Sequence, residues 1–290
     1  MTADRTAMFE DRRGMLLGMA YRMLGTMADA EDAVQDVWGR WSRVDPESIE
    51  NVDAYLVRAV TNASLNRLRS ARARREGYVG PWLPEPVLTE PSPEERAELA
   101  DSVSMALLVV LETLSPLERA VFVLHDVFGF THEEVAGMLD RSPAAVRQLA
   151  TRARAHVHAR RPRYPSERSA RERTTRAFLD ACRSGSVDRL LAVLSPDVVL
   201  TTDGGGKATA AGRPLSGAER VARFLLGAVR QAPLDAVATV EDVNGGPGLV
   251  VRSGGSPVLV GVVELEGDRV REIRFVRNPD KLGLRRLPVG

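Results

Sequence analysis

Two helix-start signals, eleven residues apart, constrain this chain more than any other feature. Thr131 with Glu134 forms a T-x-x-E capping box, and Ser142 is an N-cap followed by Pro143 at the first helical position. Between them Val135, Met138 and Leu139 fall on one helical face, and Asp140-Arg141 supplies the turn. The second helix buries Val146, Leu149, Ala150 and Ala153 and leaves Arg147, Gln148, Thr151, Arg152 and Arg154 on its outer faces. A short helix, a tight turn and a basic second helix spell a helix-turn-helix, whose second helix fits a DNA major groove. There Arg pairs with guanine and Gln with adenine, each good pair giving about 1–3 kcal/mol of discrimination. A helical hairpin whose arginines only solvate it is the structural alternative.

Charge along the chain supports the nucleic-acid reading. The net charge of +1 over 290 residues hides a segregated distribution. Residues 58–75 carry six arginines and no acid, and residues 141–163 carry seven and no acid. Between them, residues 85–101 carry six acids against Arg96 alone. Two basic islands separated by an acidic strip predict two nucleic-acid contacts joined by a segment unsuited to DNA. That strip also holds Pro81, Pro84, Pro86, Pro91 and Pro93, which argues for an extended linker.

The remaining periodicity divides the chain. Residues 8–75 read as a helical bundle, with apolar stripes at Leu16/Met19/Ala20/Met23, Val34/Val37/Trp38/Trp41 and Leu56/Ala59/Val60/Ala63. Helical patterns resume over 101–160. From about Ser166 the character changes: two helical patterns (167–183 and 187–194), an extended stretch (197–202), a glycine triplet (204–206) and a helix (217–230) precede three strand-like runs. Those runs, at 248–252, 257–264 and 269–277, predict an α+β domain with an antiparallel sheet. The expected organisation is therefore a bundle (1–76), a linker (77–100), a helix-turn-helix module (101–163) and an α+β domain (166–290). No apolar run reaches the roughly 20 residues of a membrane span, and the single cysteine, Cys182, excludes an internal disulfide, so a cytoplasmic setting is expected.

In the first bundle, Asp29, Glu31, Asp32, Gln35 and Asp36 cluster near the start of one helix. Acids there favour the helix dipole, and they equally make a docking face for a large basic partner. Asn62, Asn66 and Arg67 lie on the basic helix 55–75, a mix able to contact phosphates and single-stranded bases.

The ordered motifs DAEDAVQDVWGRW, NVDAYLVRAVTNASLNRLRSARARRE and LSPLERAVFVLHDVFGFTHEEVAGMLDRSPAAVRQLATRARAHV resemble bacterial sigma factors of the extracytoplasmic-function type, group four, over about 8–160. The resemblance implies that Asp32, Gln35 and Asp36 dock on the clamp helices of RNA polymerase. It implies that the 44–53 loop and the Asn62 region read and open the −10 element, and that Arg147, Gln148, Thr151 and Arg152 face the −35 element. The stretch FLDACRSGSVDRLLAVLSPDVVLTTDGGGK is similar to the start of a SnoaL-like (NTF2-like) cone domain. WLPEP (82–86), DGGGK (203–207) and NPDKL (278–282) resemble the motifs of the sigma subfamily carrying that fused domain. For that subfamily the resemblance implies regulation in cis, with no separate anti-sigma factor required.

Within the C-terminal domain all four histidines are missing, since they lie at 125, 132, 156 and 158, so histidine acid–base chemistry and a His-based metal site are excluded there. Asp203 or Asp242 in an apolar cone remains a candidate acid or base. No cofactor or metal is implied, and the leading reading is a protein-interaction module rather than an enzyme. Asp203, Gly204, Gly205, Gly206 and Lys207 are expected to lie near Asn278, Pro279, Asp280 and Lys281 and to grip Trp82, Leu83 and Pro84 or the sigma modules, with Trp82 as anchor. The competing reading is a helix-turn-helix protein fused to a small-ligand-binding or cyclase-like enzyme domain, and the first bundle discriminates, because a plain repressor has no need of it. Against 38 arginines, the chain's two lysines, Lys207 and Lys281, both fall inside these motifs.

Overall fold

The three apolar stripes of the N-terminal region become three helices. A computed structural model describes residues 5–89, 102–160 and 167–287, apart from the side chains of 71–76. In it, α1 (Arg5–Leu24), α2 (Met27–Trp41) and α3 (Val52–Glu76) pack on one another around Leu16, Met19, Met23, Val34, Val37, Leu56 and Val60. Thr26 caps α2, its hydroxyl accepting the Asp29 N–H at 3.3 Å. Trp41 is fully buried, and its indole N–H donates to the Arg5 carbonyl at 2.9 Å, which satisfies the one polar group of that side chain.

The second helical module comprises α4 (Met105–Leu111), α5 (Pro116–Val121), α6 (His132–Leu139) and α7 (Pro143–Arg160), with a π-helical turn at Phe122–Val127. The helix-start signals behave as their chemistry dictates. Thr131 Oγ1 accepts the Glu134 N–H at 3.2 Å, and Glu134 Oε2 accepts the Thr131 N–H at 2.7 Å. Asp140 takes the left-handed conformation (φ 54°) between α6 and α7, and Ser142 Oγ accepts the Ala145 N–H at 3.2 Å.

The two helical modules form one compact unit, in which α3 packs against α5 and α6. Two buried arginines join them. Arg119 of α5 donates from Nε to the Arg22 carbonyl of α1 at 3.0 Å and pairs through Nη1 with Glu112 at 2.6 Å. Arg22 in turn donates to Ser102 Oγ at 2.9 Å, lies against the Phe128 ring and folds back on the Gly18 carbonyl, a path that a side chain at position 18 would crowd. Burial lowers both guanidinium pKa values, to about 10 for Arg22 and about 9 for Arg119, so both stay charged at neutral pH.

The second compact unit is the α+β domain together with the linker segment 77–89. Helices α8 (Arg168–Ser184), α9 (Val187–Val193) and α10 (Ala218–Arg230) cover one face of a curved sheet. Its strands are β1 (Leu194–Asp203), β2 (Leu215–Ser216), β3 (Val237–Val243), β4 (Gly246–Ser253), β5 (Ser256–Glu266) and β6 (Arg269–Val276), ordered β2-β1-β6-β5-β4-β3. Phe178, Leu190 and Leu225 of the helices and Leu200, Ile273 and Phe275 of the sheet share one buried core. The expected antiparallel sheet needs one correction: β1 and β6 run parallel, Asp203 aligning with Val276. They are far apart in sequence, so no hairpin dictates their direction.

Candidate functional site

The parallel pairing of β1 and β6 decides where the chemistry of this domain sits. Parallel strands end at the same edge of a sheet, so the loops that follow them emerge side by side. DGGGK follows β1 and NPDKL follows β6, and the two loops meet although the residues are distant in sequence. They meet crosswise. The aspartate of the first motif, Asp203, pairs with Lys281 of the second at 2.7 Å, and Lys207 of the first pairs with Asp280 of the second at 2.5 Å. The first pair is buried and the second exposed.

The buried pair holds the linker by its backbone. Leu83 N–H donates to Asp203 Oδ2 at 2.9 Å, and the Leu83 carbonyl accepts from Lys281 Nζ at 2.6 Å. Both main-chain polar groups of one residue are thus taken by the two members of one ion pair, while the Leu83 side chain is buried. Tyr78 completes the arrangement, its hydroxyl donating to Asp203 Oδ1 at 2.6 Å and accepting from Asn278 Nδ2 at 2.8 Å. Burial and the Asp203 carboxylate raise the Tyr78 pKa, so the phenol stays protonated and remains a donor. The Lys281 ammonium also lies 4.1 Å from the Trp82 ring centroid and 4.8 Å from that of Tyr78, within cation–π range.

The glycine triplet gives the linker room. At Gly205 (φ 59°) a Cβ would overlap the Asn278 amide and crowd the Tyr78 hydroxyl, and at Gly206 (φ 72°) it would press on Val79. Pro279 opens a short 3-10 turn capped by Asn278, whose Oδ1 accepts the Asp280 N–H at 3.1 Å and so orients the lysine that follows.

A second grip was not legible from the motifs. The Asn244-Gly245 turn between β3 and β4 pairs with the linker further along: Val87 N–H donates to Asn244 Oδ1 at 3.2 Å, Asn244 N–H to the Val87 carbonyl at 3.0 Å, and Gly245 N–H to Thr89 Oγ1 at 2.9 Å. The signal was an Asn-Gly dipeptide between apolar runs. Tyr78 was missed as well, and Trp82, expected to anchor, is only half-buried while Leu83 and Val87 are covered. Residues 81–87 form no helix or strand, and the segment belongs to the same compact unit as this domain. The acidic residues from 90 onward lie outside the described residues.

Neither carboxylate considered for catalysis is available in a cone interior. Asp203 is engaged as above, and Asp242 pairs with Arg168. Burial pushes the Cys182 thiol up to about 12, which removes its nucleophilic form. Among the described residues no cluster of His, Cys, Asp and Glu fits a metal ion, and no helix is long and apolar enough to cross a membrane.

In the helical unit, Arg147, Gln148, Thr151, Arg152 and Arg154 are all exposed on α7. Arg147 leans on Glu133 at 3.3 Å, Arg154 is tied to Asp126 at 2.5 Å, and the Thr151 hydroxyl donates to the Arg147 carbonyl at 3.0 Å. Ser142 spends its hydroxyl on the cap. On α3, Asn62 and Asn66 are exposed one turn apart, whereas Arg67 turns to α2, where Asp32, Gln35 and Asp36 are exposed.

An exposed basic second helix of a helix-turn-helix beside a three-helix bundle is the arrangement expected of a sigma-type transcription factor. Residues 8–74 match the Sigma-70 region 2 family and residues 104–157 match Sigma-70, region 4. The chain is 42% identical over 227 residues to the ECF RNA polymerase sigma factor SigJ of Mycobacterium tuberculosis, covering 77% of this chain and 72% of that one. It is 30% identical over 288 residues to the probable ECF sigma factor SigI of the same organism, covering 98% and 97%. The crystal structure of SigJ superposes with a TM-score of 0.75 at 33% identity, covering 98% of this chain and 100% of that one. The chain belongs to the ECF RNA polymerase sigma factors, with a C-terminal SnoaL-like domain. It directs RNA polymerase to promoters for transcription initiation and is not an enzyme; the reading as a helix-turn-helix fused to a catalytic domain is not favoured.

Proposed function

We propose that the C-terminal domain regulates this sigma factor in cis by holding the linker between its two promoter-reading modules. One observation carries this: the Asp203–Lys281 ion pair takes both backbone polar groups of Leu83. A buried pair spent on the main chain of a distant segment fixes that segment's path whatever its side chains do, and the Asn244-Gly245 turn repeats the grip. The linker then sets the separation available to region 2 and region 4. Asp32, Gln35 and Asp36 are the docking residues for the polymerase clamp helices, Asn62 and Asn66 serve the −10 element, and Arg147, Gln148, Thr151 and Arg152 serve the −35 element. Control built into the chain makes a separate anti-sigma factor unnecessary, in a cytoplasmic setting.

In vitro transcription with core polymerase tests the proposal, comparing the native chain with the double variant Asp203→Asn/Lys281→Met. The double variant removes the ion pair without stranding a charge, so the fold is kept while the grip on Leu83 is weakened. A changed output or a changed preference among promoter spacings is the expected result. Identical output and preference would sink the regulatory reading. Deleting the whole domain is a poorer test, because it strips the cover from Leu83 and Val87.

Arg147→Ala checks the −35 assignment. Loss of about 1–3 kcal/mol of discrimination at one base pair is expected, read by competition among −35 variants. Uniform weakening across sequences would make Arg147 a phosphate contact instead.

A further inference from the structure

The docking acids of α2 already have a cation on them. Arg67 reaches across from α3 and places Nη2 2.6 Å from Asp36 Oδ2 and Nη1 3.4 Å from Asp32 Oδ2. Asp32 and Asp36 stand one helical turn apart, so a single planar guanidinium spans both. The acids are 67% and 52% exposed and Arg67 only 27%, so the guanidinium lies on the very surface a partner has to reach. Its Nε is fully covered and makes no hydrogen bond, so the stem packs against the bundle while the two Nη atoms face the carboxylates.

We propose that Arg67 is an internal competitor for the polymerase: it occupies the carboxylates that the basic partner surface needs and so sets the strength of docking. The proposal rests on the reading of Asp32 and Asp36 as docking acids. With Arg67 present the two acids offer a partner one net negative charge instead of two. An exposed pair of this kind is weak, so a partner's own cations displace or share it readily, and the effect is a modest tuning. It also reassigns Arg67, expected from its basic neighbourhood to touch DNA, to the protein–protein face.

Equilibrium binding of the full chain to core RNA polymerase, without DNA and over a range of salt concentrations, tests this. Arg67→Gln is expected to tighten binding about three- to fivefold at low salt, with the gain shrinking as salt rises. Unchanged or weaker binding by a variant of native helicity overturns the proposal. So does a loss of promoter affinity with core binding unmoved, which would return Arg67 to DNA. If Arg67→Gln lost helicity, Arg67→Lys carries the test, because a compact ammonium satisfies one carboxylate at a time and a smaller tightening follows; no tightening then overturns it. Asp36→Asn in the same assay separates the two layers. If it leaves core binding intact, the docking reading itself fails. If it weakens binding while the Arg67 variants do not tighten it, only the competition fails.

Discussion

Lys281→Met is expected to destabilise the C-terminal unit by about 3–5 kcal/mol, because it leaves the fully buried Asp203 carboxylate without a counter-charge. At roughly 3 °C per kcal/mol for a unit of this size, its unfolding midpoint falls by about 9–15 °C, measurable by calorimetry. The informative comparison is the double variant Asp203→Asn/Lys281→Met. Asparagine keeps one acceptor, for the Leu83 N–H, and presents its NH2 to the Tyr78 hydroxyl oxygen, while methionine keeps a long side chain against Trp82. Removing both charges costs far less than removing one, so the double variant recovers most of the loss. If it is no more stable than Lys281→Met alone, the ion pair is not what holds this corner together.

The second large effect is expected in the helical unit. Arg119→Ala removes the side chain that ties α5 to the α1 backbone, opens a void in a fully buried place and takes away the bonds to the Arg22 carbonyl and to Glu112. A loss of about 3 kcal/mol follows from the void and the lost hydrogen bonds. Hydrogen exchange should then speed up in the last turn of α1 and in α5 together, since these share the broken contact. Exchange confined to α5 would mean that Arg119 stabilises only its own module.

What was legible in the sequence was mostly local. Thr131, Glu134, Ser142 and Pro143 act within a few residues of themselves, and the structure realises their caps at the expected atoms. The glycine triplet permits a close approach or a tight turn for the same local reason, and the structure places Asn278, Tyr78 and Val79 where a Cβ on Gly205 or Gly206 would stand. What was not legible depended on distant partners. Strand β3 was overlooked because Thr239, Glu241 and Asp242 interrupt its apolar residues, which form no continuous run like Leu249, Val250 and Val251 of the neighbouring β4. The parallel direction of β6 against β1 is set by the whole domain and not by any turn between them. Arg67 read as one more member of a basic helix, and only the packing of α3 on α2 reveals the carboxylates opposite it. Tyr78 stands just before WLPEP, and its partner Asp203 lies 125 residues further on, so nothing local marks its role.

The crosswise pairing of the two motifs also has an analytical consequence. The chain holds only two lysines; the Lys207 side chain is 56% exposed and that of Lys281 is 7% exposed. An amine-acylating reagent therefore marks Lys207 at once and spares Lys281 for as long as its ammonium stays tied to Asp203 and Leu83. Mass spectrometry of two peptides thus reports, in the unaltered protein and in the presence of polymerase or promoter, whether the linker has been let go.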